Sequence, residues 1–179
     1  MNNLSNIVTK LIFCLCCCAL LGLKPNNDIR IFLIGDSTMA DKPLVDNPEH
    51  GWGQMFPLFF SNNVHIINCA VNGRSTKNFL AEGRWKKVYD NLQAGDYVFI
   101  QFGHNDAKRE DTARFAAPRP DYKNNLKRFI HDAREKSAIP IFLTPMTRRD
   151  FDSSGQYVGT HGEYPSAMKE VAQEEHVPL

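Results

Sequence analysis

Residues 29–38 read Ile29-Arg30-Ile31-Phe32-Leu33-Ile34-Gly35-Asp36-Ser37-Thr38. A short, β-branched, nearly unbroken apolar run ends abruptly in Gly-Asp-Ser-Thr. Apolar residues at consecutive rather than alternate positions mark a strand covered on both faces, as in parallel sheets. With Asp28 before it and Gly35 after it, a buried strand is predicted over Ile29–Ile34. Val64–Cys69, Tyr97–Phe102 and Ile139–Leu143 around Pro140 read the same way. Helical periods fall between them. In Asp121–Lys136, opened by Pro120, the residues Tyr122, Leu126, Phe129, Ile130 and Ala133 recur on one face. Trp52–Phe60, Arg84–Leu92 and Tyr164–Glu175 are the other predicted helices. Strand and helix in alternation predict an α/β fold: a three-layer α/β/α, doubly wound parallel sheet with right-handed crossovers. After the last helix only Val177-Pro178-Leu179 follows, enough to open a fifth strand. The expectation is a domain with its fifth strand and last helix missing, C-terminally truncated from a longer protein.

The N-terminus reads differently. Leu11–Leu23 is an unbroken apolar run, preceded by Lys10 and followed by Lys24-Pro25-Asn26. It is too short to span a bilayer and matches the apolar region of a secretory signal peptide. Residues 1–23 are expected to be that signal peptide and residues 24–179 the folded domain, secreted or periplasmic. Leu15-Cys16-Cys17-Cys18 weakly resembles a lipoprotein signal, so a lipid anchor stays open. Four of the five cysteines, Cys14, Cys16, Cys17 and Cys18, belong to this leader. Cys69 then stands alone, which excludes an internal disulfide and a thiolate metal cluster.

The chain of 179 residues carries 21 Lys plus Arg against 20 Asp plus Glu, a formal charge of +1. So balanced a chain offers no global field for nucleic acid or an anionic membrane. No phosphate-binding Gly-rich loop, His-Glu-x-x-His or Gly-x-Ser-x-Gly occurs, and Gly51-Trp52-Gly53 lacks the third glycine of a dinucleotide fingerprint. No cofactor and no metal are expected.

In an open α/β sheet, ligands bind beyond the carboxyl ends of the strands. The first three predicted strands end in Gly35-Asp36-Ser37-Thr38, in Asn68–Asn72 leading to Gly73-Arg74-Ser75, and in Gly103-His104-Asn105-Asp106. Three such loops converging on one edge supply a serine nucleophile, a backbone N–H and an amide donor. Each residue also has a plain structural reading: Ser37 as a helix cap, Gly73 as a turn residue, Asn105 as the closure of an Asx turn.

These blocks, in this order, resemble the SGNH (GDSL-type) hydrolases. The stretches IGDSTMAD, GWGQ, NCAVNGRSTKNF, EGRW and GDYVFIQFGHND are most similar to the rhamnogalacturonan acetylesterases of that family. The resemblance covers Ile31 to about Thr144. It implies a flavodoxin-like sheet and a serine esterase, a carboxylic ester hydrolase removing acetyl groups from a plant cell-wall polysaccharide such as rhamnogalacturonan. It implies Ser37 as nucleophile. The Ser37 N–H, the Gly73 N–H and the Asn105 amide would form the oxyanion hole. Asp36, His104 and Asp106 are read as structural. Arg74 and Trp52 are candidates for substrate binding, although Arg74, Lys77, Arg84, Lys86 and Lys87 also read as a solvated basic face.

The resemblance further implies a histidine base in an Asp-x-x-His motif. None of His50, His65, His104, His131, His161 and His176 lies three residues after an aspartate. His104 should point away from the face that Asn105 uses, and His161 sits in the polar loop Thr147–Glu163 expected to be mobile. This chain alone is therefore expected to be nearly inactive. Two other readings stay open: another carbohydrate or small-ester esterase of the same fold, and a non-catalytic carbohydrate-binding pseudoenzyme.

Overall fold

The computed structural model describes residues 28–179, so the expected leader and its four cysteines lie outside the described residues. The four strands are β1 (Ile29–Gly35), β2 (Val64–Asn68), β3 (Tyr97–Gln101) and β4 (Ile139–Phe142). They form one parallel sheet in the order β2-β1-β3-β4. The expected parallel sheet is borne out. Because the order reverses beside β1, the connections leaving β1 and β3 part to opposite faces, and a crevice opens between their carboxyl ends.

The helices are α1 (Trp52–Met55), continued by a 3₁₀ turn over Phe56–Phe59, then α2 (Thr76–Ala81), α3 (Arg84–Asn91), α4 (Lys123–Glu135) and α5 (Tyr164–Glu174). Alternation along the strands divides the core in two. On one face Phe32, Ile34, Val98 and Ile100 meet Phe79 of α2, Trp85 of α3, Phe129 of α4 and Met168 of α5. On the other, Ile31, Leu33 and Met39 meet Trp52, Phe56, Tyr97 and Phe99. The sheet is thus the middle of three layers. Phe129 is the hub of the larger core: it stacks on Phe102 with centroids 5.7 Å apart and takes Trp85 edge-on at 5.0 Å. Each such fully buried ring stabilises the fold by about 1.5–3 kcal/mol.

Two local differences from the sequence reading stand out. Helix α2 was not expected. It is started by Ser75, whose side chain accepts from the Asn78 N–H while Asn78 caps the Ser75 N–H in return. The usual signal for such a box is Glu or Gln at the third helical position, and here Asn does that work. Helix α4 begins at Lys123 rather than Asp121, and Arg119, which precedes Pro120, is extended (φ −136°, ψ 127°), so no helix continues upstream of Pro120. Pro118–Tyr122 form a wide turn before it. At the C-terminus, the Phe142 N–H donates to the Pro178 carbonyl at 2.9 Å and Val177 is buried. Pro178 therefore lies beside β4.

Candidate active site

The site is assembled from three turns. At the end of β1, Asp36 is fully buried, and its Oδ1 accepts from the Thr38 N–H and lies within reach of Thr38 Oγ1, both at 2.9 Å. This Asx turn sets Ser37 at its tip, partly exposed. No described residue hydrogen-bonds the Ser37 side chain. Thr38 Oγ1 also lies 3.1 Å from Gln101 Oε1, and its single proton serves one acceptor at a time.

Gln101, the last residue of β3, fixes the floor. Its Oε1 accepts from the Trp52 indole at 2.8 Å and its Nε2 donates to the Thr144 carbonyl at 3.0 Å. One buried amide thus joins the exits of β1, β3 and β4 to α1. Nothing in composition marks Gln101 beyond its being the polar end of an apolar strand, YVFIQ.

The β1–β2 ladder continues past the strands. The Cys69 N–H donates to the Leu33 carbonyl at 2.8 Å and the Val71 N–H to the Gly35 carbonyl at 3.1 Å. Gly73 and Ser37 each lie two residues beyond that last bonded pair. Gly73 has φ 75°, a left-handed conformation that glycine adopts without penalty. On the third turn, Asn105 is buried and its Nδ2 donates to the Arg74 carbonyl at 3.0 Å, one residue after Gly73. The amide has a second N–H for another acceptor. Asp106, fully buried, accepts from the Thr76 N–H at 2.9 Å and from Thr76 Oγ1 at 2.5 Å. Asn125 on α4 donates to that same hydroxyl oxygen at 2.9 Å. The second and third turns are therefore stitched together by side chains, and the first and second by the backbone ladder.

Beside Ser37 a groove of about 570 Å³ is lined by Thr38, Lys42, His50, Trp52 and Met146. Trp52 is thus placed where a sugar ring could lie. Trp85 is not: it is buried and its indole donates to Asp132 at 2.6 Å. The basic run is largely engaged. Arg74 pairs with Glu82 at 3.1 Å and donates to the Asn72 carbonyl, Arg84 pairs with Glu82, and Lys86 pairs with Asp90.

The electrostatics follow from burial. Burial pushes the Asp36 carboxyl up, against the two Thr38 contacts that hold it down. The same effect carries Asp106 to about 7, opposed by its Thr76 donors. In both residues Oδ2 is buried without a partner, the oxygen on which a proton would sit. His104 and His161 face each other, Nδ1 to Nε2 at 3.0 Å, with rings edge-on and 4.2 Å apart. Burial lowers both, His161 to about 4, with the neighbouring His104 and Arg148 adding to the effect on His161. Within the Thr147–Glu163 loop, His161 is only 5% exposed. His104 thus meets a residue of the Thr147–Glu163 loop, while its neighbour Asn105 bonds Arg74.

Residues 33–179 match the sequence model of the GDSL-like Lipase/Acylhydrolase family. The chain belongs to that family. As a GDSL-family chain it is 44% identical over 151 residues to rhamnogalacturonan acetylesterase RhgT of Bacillus subtilis, an alignment covering 84% of this chain and 63% of that protein. It is 38% identical over 150 residues to the probable rhamnogalacturonan acetylesterase YesY of Bacillus subtilis, covering 84% and 68%. Among solved structures, protein YxiM of Bacillus subtilis superposes with a TM-score of 0.75 at 27% identity, over 85% of this GDSL-family chain and 43% of that one. The chain thus spans about three fifths to two thirds of the length of these curated relatives.

Proposed function

We propose that the chain acts on acetyl esters of rhamnogalacturonan. Ser37 is the nucleophile, and the N–H groups of Ser37 and Gly73 and the Asn105 amide receive the oxyanion. The observation that carries this is the tie between turns: Asn105 closes on the residue after Gly73, while Gly73 and Ser37 diverge from one hydrogen-bonded pair. Ser37 Oγ attacks the acetyl carbonyl and gives up its proton to a base. The negative charge that develops on the carbonyl oxygen meets donors already fixed in place, each worth about 10²–10³ in rate. Collapse expels the sugar hydroxyl, and water then releases acetate from the serine ester. Support for the substrate comes from the two relatives bearing the acetylesterase name. Residues 1–23 as an export signal, and 24–179 as the catalytic-type domain, suit a polysaccharide met outside the cytoplasm.

The proton acceptor is the weak point of the machinery. His104 and His161 spend ring nitrogens on each other, and neither bonds Ser37. Loss of a serine triad's histidine costs on the order of 10⁶ in kcat, leaving about 10³–10⁴ over water. The 179-residue chain is accordingly proposed to turn over near that residual level. The unpartnered Ser37 hydroxyl also favours a second reading, a carbohydrate-binding pseudoenzyme. Acetate release from acetylated rhamnogalacturonan by the wild type and Ser37→Ala separates them. Slow turnover abolished by Ser37→Ala supports the esterase. Equal binding by both proteins with no turnover in either supports the pseudoenzyme. Fast turnover surviving in Ser37→Ala sinks the assignment.

A further inference from the structure

A cation lies against the Gly73 turn: Arg114, on the loop between β3 and α4. A Cβ placed on Gly73 would stand 3.8 Å from Arg114 Cζ, 3.9 Å from Nη1 and 4.0 Å from Nη2. The guanidinium therefore lies beside Gly73, in van der Waals range of where a side chain there would start. Its Nε edge is taken by Asp111, with Nε 3.0 Å from Oδ2. Asp111 is itself held in place, its Oδ1 accepting from the N–H groups of Ala113 and Arg114. No described residue hydrogen-bonds Nη1 or Nη2, and the side chain remains about a third exposed (35%).

The loop that presents this fork is fastened on both sides of it. Before Arg114, Lys77 Nζ on α2 donates to the Thr112 carbonyl at 2.7 Å. After it, the Ala116 N–H donates to the Asp106 carbonyl at 3.2 Å, and the Tyr164 hydroxyl reaches both the Ala116 and Asp106 carbonyls. Arg74, which the sequence offered for this task, has its guanidinium committed to Glu82 and the Asn72 carbonyl.

We propose that Arg114 is a specificity-determining residue whose Nη1–Nη2 edge receives the carboxylate of a uronate ring whose ester is held over Gly73. A planar fork with one edge anchored and the other free is the geometry for paired hydrogen bonds to a carboxylate. The assignment rests on the proposed function, since it needs the acetyl group to sit at the Ser37–Gly73–Asn105 turns.

Binding to the 179-residue chain, measured by titration calorimetry, tests it without demanding turnover. The ligands are an acetylated rhamnogalacturonan oligosaccharide, the same oligosaccharide with its carboxyls reduced to alcohols, and an acetylated xylo-oligosaccharide. The wild type is expected to prefer the uronate ligand over its reduced form by about tenfold, the low end for a charged hydrogen-bond pair at a partly exposed site. Arg114→Gln should erase that preference and leave affinity for the reduced ligand unchanged. Arg114→Lys, which keeps the charge and loses the fork, should retain part of it. An unchanged melting temperature shows that the variants are folded. A preference that survives in Arg114→Gln, or equal weakening toward both galacturonan ligands, overturns the role of Arg114 alone. Wild-type binding to the xylo-oligosaccharide and to neither galacturonan ligand overturns the substrate reading, and this role with it.

Discussion

Asn105 Nδ2 donates to the carbonyl of Arg74 at 3.0 Å, so the amide on the third turn is oriented by the second before any substrate arrives. An oriented donor has little reorganisation left to do when charge develops. Asn105→Ala should lower acetate release from p-nitrophenyl acetate by about 10²–10³. The lost hydrogen bond should cost only about 1 kcal/mol in urea unfolding. A rate unchanged in a folded variant would remove Asn105 from the proposed oxyanion hole.

Two glycines near the site should respond very differently to alanine. At Gly73 the new Cβ meets nothing closer than 3.8 Å, so only the left-handed conformation at φ 75° is penalised. Gly73→Ala should cost about 1–2 kcal/mol. At Gly51 the Cβ would fall 2.1 Å from the Ala40 carbonyl oxygen and 2.5 Å from the Met39 carbonyl carbon, backbone atoms that cannot swing aside. Gly51→Ala should cost about 3 kcal/mol or more, through forced backbone shifts. Denaturant midpoints of the two variants check the order.

Gln101→Leu should expose how far one amide holds the floor. It leaves the Trp52 indole N–H and the Thr144 carbonyl without their partner, at about 1–3 kcal/mol for each buried group that water does not reach. Lower stability with a shifted tryptophan emission maximum is the expected result. An unchanged spectrum and midpoint would show that Trp52 is held by packing alone.

Buried acids and histidines pull stability in opposite directions with pH. Asp106 has a folded pKa raised to about 7, so its contribution is fully present below the ordinary carboxylate pKa. That contribution is lost as pH rises from about 4 through 7. Asp36 is shifted the same way. His161 has a folded pKa lowered to about 4. Its contribution is present above the ordinary histidine value, about 6.5, and is lost as pH falls toward 4. The melting temperature of the wild type should therefore change little between pH 4.5 and 6.5. Asp106→Asn should make it rise with pH across that window, and His161→Gln should make it fall. Parallel curves for all three proteins would show that neither group is perturbed in the folded chain.

Much of this arrangement was legible because apolar runs and glycine-bounded turns are local signals. Each of the four strands was placed to within a residue at either end, since a buried parallel strand reads as a continuous run. The turns carrying Ser37, Gly73 and Asn105 follow from where those runs stop. What was not legible depends on partners distant in the chain. His161 pairs with His104, 57 residues away. Gln101 is tied to Trp52, 49 residues away, and to Thr144, 43 residues away. Arg114 stands over Gly73 because Lys77 and Tyr164 hold its loop, and no spacing in the sequence announces such a contact. Helix α2 escaped because its cap uses Asn78 in place of the commoner longer side chain.

The position of β1 between β2 and β3 also governs the order in which the molecule can be made. The strand that carries the Ser37 turn is made before both of its partners, which come from residues 64–68 and 97–101. Neither neighbour is local, so closing those loops is entropically slow and must precede any stable sheet. The Ser37 turn is thus secured only after residues that lie some sixty positions further along the chain have been made. Until Tyr97–Gln101 dock, the nascent Ile29–Ile34 run keeps at least one open edge, and that interval is when this chain is most exposed to pairing with another copy of itself.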